Sequence, residues 1–384
     1  MAKRFRIEKL HTEIASESTI RKAMAFAKSS GVEPPYLLID KDKVKQKVSS
    51  IGRAVKGSRV FYAVKANPDI EILKLIHGLG IGFEIASEGE LRILSSLGVS
   101  NDRIISSNPI KSFRFLRMAT DYGVSYFAFD SEDEVLKLRE FAPGCNVYVR
   151  LSVPNEGSEW PLSKKFAVEV DEAEDLMVFA RKKGLNPVGI TFHVGSQCTN
   201  IYNWNAALDK AKILWDRVEK KGIRLSVLNI GGGYPIRYTK SVVDIPSIEK
   251  NANRLIYEKF PRDTRIFIEP GRAVVGDAGV FVSKVIGKAV RADEDWLYVD
   301  VGVFNGLMES VGGIKYSYIV EGSREMKKWT LAGPSCDSFD VIDKDIFLPE
   351  PEIGNLVLIL SSGAYTISYA SEFNGFAIPK TILI

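Results

Sequence analysis

Several residues with reactive side chains stand at the ends of short runs rich in β-branched and aromatic residues. Lys65 follows one run and Glu269 ends another, while the triple glycine 231–233 and the pair Gly271 and Arg272 also follow runs. An amine can bind an aldehyde covalently, and a carboxylate can hold a proton on a ring nitrogen. Glycines let backbone N–H groups approach phosphate oxygens, with which an arginine can also pair. Together these residues predict a site for pyridoxal phosphate (PLP).

The elements that must position these residues are eight predicted β–α units in a row. Eight such units over about 210 residues suit a (β/α)8 barrel, which typically needs about 250. An open doubly wound sheet is the alternative, but eight consecutive units favour closure. In such barrels the active site lies at the carboxyl ends of the strands, and phosphate often binds to the loops after strands 7 and 8. The predicted strands are 59–64, 82–86, 103–107, 126–130, 146–151, 189–194, 225–230 and 265–269.

The pattern changes after Gly271, where strand-like runs follow one another without long helical stretches. An early run, 36–39, precedes the barrel series and is predicted to join this β-rich region. We therefore predict an α/β protein with a barrel at about 45–275 and a β-rich domain built from both chain ends, about 1–44 and 276–384. The later predicted strands are 279–290, 296–303, 316–320, 329–332 and 355–360.

The composition argues against several other classes of protein. A net charge of +4, with both signs interspersed, is too weak for a nucleic-acid footprint. Three cysteines without a C-x-x-C pair argue against a disulfide framework, and no metal site is expected. The first residues carry charges where a signal peptide needs an apolar core, and the longest apolar run is far shorter than a membrane span. We expect a cytoplasmic protein that binds neither membranes nor nucleic acid.

Six short motifs occur along the chain: FYAVKAN (61–67), HVGSQ (193–197), GGGYP (231–235), EPGR (269–272), CDSFD (336–340) and GAYT (363–366). This set resembles the fold-type III PLP-dependent decarboxylases, most closely their ornithine/lysine decarboxylase branch. The resemblance runs from about Pro35 to Phe376, nearly the whole chain. Each motif alone is moderately specific, whereas their joint occurrence in the family's order is highly specific.

The resemblance implies roles for the residues of the barrel. Lys65 is implied to form the Schiff base with the cofactor, and Glu269 to keep the pyridine nitrogen protonated. His193 is implied to stack on the ring face, while Glu84 and Arg150 form a supporting polar shell. The other residues implied to bind the cofactor are Ser196, Gly232, Gly233, Gly271, Arg272 and Tyr365.

The resemblance also implies that a second subunit completes each site. Cys336 would return a proton to the α-carbon of the substrate, and Asp337 would bind its distal amine, both at the partner's cofactor. An obligate head-to-tail homodimer with shared active sites is therefore expected, and Lys165 and Asp340 resemble an ion pair across its interface. Glu309 lies near the place where the family has an acid for the distal ammonium.

Three positions depart from the family's usual residues. Glu84 stands where many relatives have Asp, Asn229 stands where Asp is common, and Ala167 stands where Gly is usual. None of the three carries an implied catalytic role. We therefore expect them to tune the activity rather than abolish it.

The expected function is PLP-dependent decarboxylation of a basic L-amino acid, ornithine or lysine, to putrescine or cadaverine and CO2. Diaminopimelate decarboxylase is an alternative, but it needs cationic groups at the distal end, where Asp337 and Glu309 are acidic. A decarboxylase of a modified diamino acid is a second alternative. A racemase would need a second base on the opposite face of the cofactor ring. A non-catalytic homologue, such as an antizyme inhibitor, would lack residues that bind the cofactor, and those residues are present here. One methylene is worth only about 1–3 kcal/mol in a pocket, so the preferred chain length stays open.

Overall fold

The computed structural model describes residues 5–54, 57–160, 165–323 and 325–384 of the chain. The chain divides into two compact units, which we call the barrel unit and the β unit. The barrel unit comprises Val48–Pro235 and Val243–Gly271, and the β unit comprises Met1–Lys47, Ile236–Val242 and Arg272–Ile384.

A ring of parallel strands forms the centre of the barrel unit. Its described part contains eight parallel strands that pair with their neighbours in chain order, and the eighth also pairs with the first. The third and fourth strands meet through one bridge, between Ser106 and Phe127, which completes the ring. The predicted barrel is therefore confirmed. Its strands are Arg59–Ala63, Gly82–Glu84, Ile104–Ile105, Tyr126–Phe129, Asn146–Arg150, Asn186–Thr191, Val227–Asn229 and Arg265–Ile268.

The helices between the barrel strands begin at polar caps. Ser87, Ser112 and Ser131 each accept a hydrogen bond from the backbone N–H three residues further along. Such a cap satisfies an N–H group that has no partner within the helix. The barrel helices are Ile70–Gly78, Glu88–Ser96, Phe113–Tyr122, Glu132–Phe141, Val170–Lys182, Tyr202–Lys220 and Ile245–Lys259. Two short strands, Ser158–Trp160 and Ser196–Cys198, pair antiparallel as a separate small sheet.

Strands from both ends of the chain meet in the β unit. The early strand Tyr36–Ile39 pairs antiparallel with Gly279–Arg291 and parallel with the last strand, Lys380–Leu383. The expectation that the run 36–39 joins this sheet is therefore confirmed. The other strands of the sheet are Glu294–Val299, Tyr318–Val320, Met326–Ala332, Val341–Pro349 and Leu356–Leu360.

Two N-terminal helices cover one part of this sheet. Ile14 and Ile20, from Lys9–Ile14 and Glu17–Ser29, belong to an apolar cluster with Tyr36. Burial of such side chains supplies most of the stabilisation of a domain of this size. The remaining helices are Lys41–Ala54, which leads to the first barrel strand, and Arg272–Val275.

Two features are absent from the part of the chain that the structure describes. None of its helices is both long and apolar enough to cross a lipid bilayer. Its His, Cys, Asp and Glu side chains form no group of three or more that could hold a metal ion.

Candidate active site

Lys65 lies at the carboxyl end of the first barrel strand, Arg59–Ala63, in the short 3-10 turn Val64–Ala66. The residue is exposed. The turn is held by the buried Asn67, whose N–H donates to the Val64 carbonyl at 3.1 Å. The hydroxyl of Tyr62 in turn donates to the Asn67 carbonyl at 3.1 Å. The backbone around Lys65 is therefore well fixed, while its amine is accessible.

Glu269 follows the eighth strand and is only 8% exposed. Its Oε1 accepts hydrogen bonds from Asn229 Nδ2, at 2.5 Å, and from the hydroxyl of Ser107. Burial raises the pKa of Glu269 to about 7, helped by the charge of Glu84, whereas the two hydrogen bonds and the charge of Lys65 lower it. The carboxyl thus exchanges its proton near neutral pH, and fixed donors favour its charged form.

A polar shell around Glu269 contains residues that the sequence analysis missed. Ser107 Oγ lies 2.8 Å from the hydroxyl of Tyr148, and the Ser107 N–H donates to Glu84 Oε1 at 3.3 Å. Tyr148 is two residues before Arg150 in one strand, so both side chains point to the same side of the sheet. That spacing, and the position of Ser107 just after the third strand, are the signals that could have identified them.

Glu90 is a second acid that the sequence analysis missed. Its Oε2 accepts a hydrogen bond from the Ala86 N–H at 2.6 Å. Burial raises the pKa of Glu90 to about 7, the charge of Glu84 adds to this, and the charge of Lys65 opposes it. The neighbourhood of Lys65 therefore contains several carboxyls that cannot all be charged at low cost.

His193 follows the sixth strand and is held as a neutral ring. Its Nδ1 accepts a hydrogen bond from the Gly195 N–H at 3.0 Å, which places the ring proton on Nε2. Burial, with the positive charges of Lys65 and Arg150, lowers the pKa of His193 well below its usual value. A neutral imidazole with fixed orientation is suited to pack against another flat ring.

Arg150 ends the fifth strand, and its guanidinium lies 5.5 Å from the centre of the Phe166 ring. Burial lowers the pKa of Arg150, while the charges of Glu269, Asp130 and Glu84 raise it. The arginine therefore supplies a positive charge to the same end of the barrel as the acids.

Three glycines at this end of the barrel have no room for a side chain. A Cβ on Gly232 would collide with the Glu269 carbonyl oxygen, and one on Gly233 with the Gly195 carbonyl oxygen. A Cβ on Gly271 would lie 2.9 Å from Ala66 Cβ. Gly233 also has a φ of +91°, and its carbonyl accepts the Cys198 N–H at 2.9 Å, which fixes the short strand that begins at Ser196. Only glycine permits this close approach of backbone segments.

A second group of predicted site residues lies in the β unit. Arg272 begins the helix Arg272–Val275, and its guanidinium donates to both oxygens of Glu309, from Nη1 at 2.7 Å and from Nη2 at 2.6 Å. Nη1 also donates to the Tyr238 hydroxyl, and the Tyr365 ring lies 4.6 Å from the guanidinium. Burial alone would lower the pKa of Arg272, but Tyr238, Glu309 and Tyr365 together raise it well above its usual value. The structure thus brings Arg272, Glu309 and Tyr365 together.

Cys336 and Asp337 lie side by side in an exposed loop of the β unit. The Cys336 thiol and its backbone N–H both donate to Asn374 Oδ1 at 3.2 Å. Asp337 Oδ1 accepts the Phe339 N–H at 2.8 Å. The loop is therefore held by hydrogen bonds within itself and to Asn374, yet it presents a thiol and a carboxylate to solvent.

The two residues of the predicted interface pair, Lys165 and Asp340, belong to different units of the chain. Asp340, in the β unit, is buried and accepts the N–H groups of Val303 at 2.7 Å and Ser335 at 3.0 Å. Lys165, in the barrel unit, lies 5.0 Å from the centre of the Phe166 ring. The ion pair between Lys165 and Asp340 of another subunit stays a prediction.

Two departures from the family's usual residues have a visible structural setting. Ala167 has a φ of +84°, the left-handed region that favours glycine, and its N–H donates to Asp130 Oδ2 at 2.7 Å. Asn229 supplies a donor to Glu269 that a charged aspartate could not supply. The first departure costs some backbone strain, and the second favours the charged form of Glu269.

Comparison with known proteins identifies the family. The model of the pyridoxal-dependent decarboxylases, pyridoxal binding domain, matches residues 41–276. The chain belongs to this family. It is 39% identical to the lysine/ornithine decarboxylase of Selenomonas ruminantium over 355 residues, 92% of this chain and 90% of the relative. The resemblance drawn from the six motifs, and the expected fold, are therefore confirmed.

Solved structures of pyridoxal-dependent decarboxylases share the fold. The crystal structure of SrLDC in complex with PLP and cadaverine has a TM-score of 0.88 at 37% identity, covering 100% of this chain and 95% of that one. The lysine/ornithine decarboxylase from Vibrio vulnificus complexed with cadaverine has a TM-score of 0.88 at 30% identity, covering 97% and 100%. PLP as the cofactor and decarboxylation as the class of reaction are thus confirmed for this chain.

The residues of the barrel unit fit PLP. Lys65 is exposed and offers an amine, and His193 is a neutral ring. Glu269 is a buried carboxyl, and Asn229 and Ser107 both donate hydrogen bonds to its Oε1. The glycine positions leave backbone uncovered by side chains, as a phosphate cradle requires. The role of each individual residue stays a prediction.

Proposed function

We propose that this PLP-dependent decarboxylase acts on a basic L-amino acid, lysine or ornithine, and releases cadaverine or putrescine with CO2. The observation that carries the proposal is that Lys65, His193 and Glu269 follow the first, sixth and eighth strands at the carboxyl end of one ring. The substrate class is supported by relatives named lysine/ornithine decarboxylases and by a similar structure that contains cadaverine.

Each barrel residue has a task that follows from its surroundings. When bound, PLP supplies an aldehyde for the substrate amine and a ring that accepts the electron pair left when the carboxylate departs. Lys65 would hold the cofactor through its amine. Glu269 would keep a proton on the ring nitrogen, because Asn229 and Ser107 favour its carboxylate form. His193, without a charge, would pack against the ring.

The phosphate is assigned to backbone and cationic groups. Gly232, Gly233 and Gly271 allow close approach of N–H groups, and Ser196 adds a hydroxyl. Arg272 and Tyr365 complete this set of proposed ligands. A guanidinium is suited to a phosphate because its N–H groups match two oxygens at once.

We assign the second half of each site to the partner in a homodimer. Cys336 would donate its Sγ proton to the α-carbon that has lost its carboxylate, and Asp337 would pair with the distal ammonium of the substrate. Support for action in trans comes from the exposure of both residues and of the neighbouring Phe339, which is 54% exposed.

A cytoplasmic location also stays a proposal, supported by the fact that Cys145, Cys198 and Cys336 are all free thiols.

The first experiment measures CO2 release from L-lysine, L-ornithine, L-arginine and meso-diaminopimelate in the presence of PLP. Turnover of lysine or ornithine is the expected result. Turnover of diaminopimelate alone would contradict the proposed acidic distal site. Lys65→Ala should abolish the lysine-bound absorption band, whereas Lys74→Ala should keep it, because Lys74 pairs with Glu71 at 2.6 Å on an exposed helix surface.

A mixing experiment tests the shared site. Lys65→Ala subunits should be inactive alone, Cys336→Ala subunits should bind PLP but fail to protonate the product correctly, and the mixture should regain part of the diamine formation when subunits exchange. The mixed dimer contains one site with both native residues if each site uses residues of two chains. No recovery, with subunit exchange demonstrated by differently tagged chains, would show that each site is built within one chain.

A further inference from the structure

Glu309 has a partner within its own unit. Both of its carboxylate oxygens accept hydrogen bonds from Arg272, at 2.7 Å from Nη1 and 2.6 Å from Nη2. We propose that Glu309 is a positioning residue, which orients the Arg272 guanidinium for the cofactor phosphate instead of selecting the distal amine of the substrate. The proposal rests on the proposed function, in which Arg272 binds that phosphate.

The geometry of the pair fixes the guanidinium in two ways. Two parallel hydrogen bonds to one carboxylate set the plane of the guanidinium and its rotation within that plane. Arginine otherwise has a long side chain with many rotamers, and ordering it costs conformational entropy. Holding the side chain in place before the phosphate arrives removes that cost from the binding step.

The backbone that carries the Glu309 carboxylate is held in place by hydrogen bonds. Glu309 lies in the short 3-10 helix Met308–Ser310, and its carbonyl accepts the N–H groups of Gly312 and Ile314, both at 3.1 Å. These bonds fix the backbone of Glu309, and the burial of its side chain, which is 4% exposed, limits the rotamers that the carboxylate can adopt. The Glu309 carboxylate can therefore hold the longer side chain of Arg272 in one orientation.

The surroundings of the pair isolate it from water. The side chains of Arg272 and Glu309 are 3% and 4% exposed, and Tyr238 and Tyr365 pack against the guanidinium. Tyr316, also buried, packs against Tyr238 with their ring centres 5.6 Å apart. Two buried charges of opposite sign are stable only while they compensate each other.

This arrangement has a consequence for substrate recognition. A carboxylate whose two oxygens already compensate a guanidinium attracts a further ammonium weakly. Asp337 is exposed, and among the described residues its carboxylate accepts one hydrogen bond, from the Phe339 N–H, so most of the acceptor capacity of the carboxylate is available. Selection of the distal amine is therefore assigned to Asp337 and not to Glu309.

The test measures PLP binding to the cofactor-free protein by absorbance, without substrate. Glu309→Gln should weaken PLP binding by about tenfold or more, because it loses a charge-assisted pair. The same substitution in an Arg272→Met background should change PLP binding by less than about twofold, since Glu309 then has no guanidinium to orient. Glu309→Asp keeps the charge and should restore part of the affinity.

Kinetics at saturating PLP supply the second readout. Glu309→Gln should leave KM for lysine or ornithine within about twofold, whereas Asp337→Asn should raise it by about tenfold. Circular dichroism and thermal melting establish that each variant is folded. If Glu309→Gln does not fold, the same comparison with Glu309→Asp, alone and with Arg272→Met, decides the matter.

Three outcomes would overturn the proposal. Unchanged PLP affinity with a raised KM would make Glu309 a substrate contact, and tighter PLP binding would make it a competitor of the phosphate. An equal loss of PLP affinity with and without Arg272 would show that Glu309 does not act through that residue. Failure of the native protein to bind PLP would instead contradict the proposed function, whatever Glu309 does.

Discussion

The side chain of Asn229 joins Glu269 to the glycine loop. Its amide Nδ2 donates to Glu269 Oε1 at 2.5 Å, and its Oδ1 accepts the Gly231 N–H at 3.0 Å. One buried residue therefore connects the carboxyl proposed for the ring nitrogen with the first glycine of the proposed phosphate cradle. A change at Asn229 should affect both ends of the cofactor.

Asn229→Leu removes the donor to Glu269 with little change in volume. A hydrogen bond to a charged group is worth about 1.5–3 kcal/mol, so its loss should raise the pKa of Glu269 by about one to two. The acidic limb of the pH profile of kcat/KM should then move to higher pH. Asn186→Leu is the matched control, because Asn186 pairs with Asn146 on the exposed surface, and it should leave the profile in place.

Asn374 should control the reactivity of Cys336. Asn374→Gly keeps the left-handed backbone, where φ is +54°, but removes the oxygen that accepts the thiol proton. Loss of one hydrogen bond of about 0.5–1.5 kcal/mol should speed alkylation of Cys336 by iodoacetamide about two- to tenfold. Peptide mass spectrometry resolves the three cysteines, and buried Cys145 and Cys198 serve as internal controls. An unchanged rate at Cys336 would show that Asn374 does not restrain the thiol.

Glu249 should make the stability of the chain depend on pH. The residue is fully buried, and among the described residues neither of its carboxylate oxygens has a hydrogen-bond partner. Burial raises the pKa of Glu249 from 4.5 to about 8. Its protonated form therefore stabilises the fold below pH 4.5, and that contribution is lost as the pH rises to about 8. The free energy of unfolding should fall by up to about 1.4 kcal/mol per pH unit in this window.

Urea unfolding of Glu249→Gln tests this expectation. The difference in unfolding free energy between native protein and variant should change with pH between 4.5 and 8. Glu258→Gln changes a carboxyl on the same helix that pairs with Arg254 at 3.0 Å in solvent, and it should show no such slope. A native protein and a Glu249→Gln variant with parallel pH curves would rule out the assignment.

The ion pair between Lys111 and Glu134 should be needed for folding of the barrel. Their side chains are 0% and 1% exposed, and the two charged groups lie 2.8 Å apart. Glu134→Gln leaves the buried Lys111 ammonium without its counter-charge and should cost about 3–5 kcal/mol of unfolding free energy. Glu132→Gln, in the same helical turn but exposed, should cost little. Denaturant unfolding of both variants measures the difference.

The barrel could be predicted from sequence because its signals are local. Runs of β-branched residues alternate with helical patterns, and seven of the eight predicted strands overlap the observed ones closely. The sixth was predicted at 189–194, but the strand is Asn186–Thr191, because Pro187 near its start hides the signal of a strand. In the β unit, Val341–Pro349 was missed because Asp343, Lys344 and Asp345 interrupt its apolar pattern.

The site was predictable in part for the same reason. Lys65 and Glu269 could be found because polar residues at strand ends stand out from apolar runs. Ser107 and Tyr148 were missed because their importance depends on which strands become neighbours in the ring. The pairing of Arg272 with Glu309 joins segments separated by a whole hairpin of the sheet, and no local pattern encodes such a contact.

The parallel pairing of Tyr36–Ile39 with Lys380–Leu383 sets an order for folding. During synthesis, each barrel strand meets its neighbour soon after leaving the ribosome, so the ring can close while the chain is still growing. The strand Tyr36–Ile39 must wait for the last strand before one of its edges is covered. Long-range pairing of this kind is slow to form, and an uncovered edge invites intermolecular association. The stage at which the chain is most exposed to association is therefore the interval before Lys380–Leu383 has paired with Tyr36–Ile39.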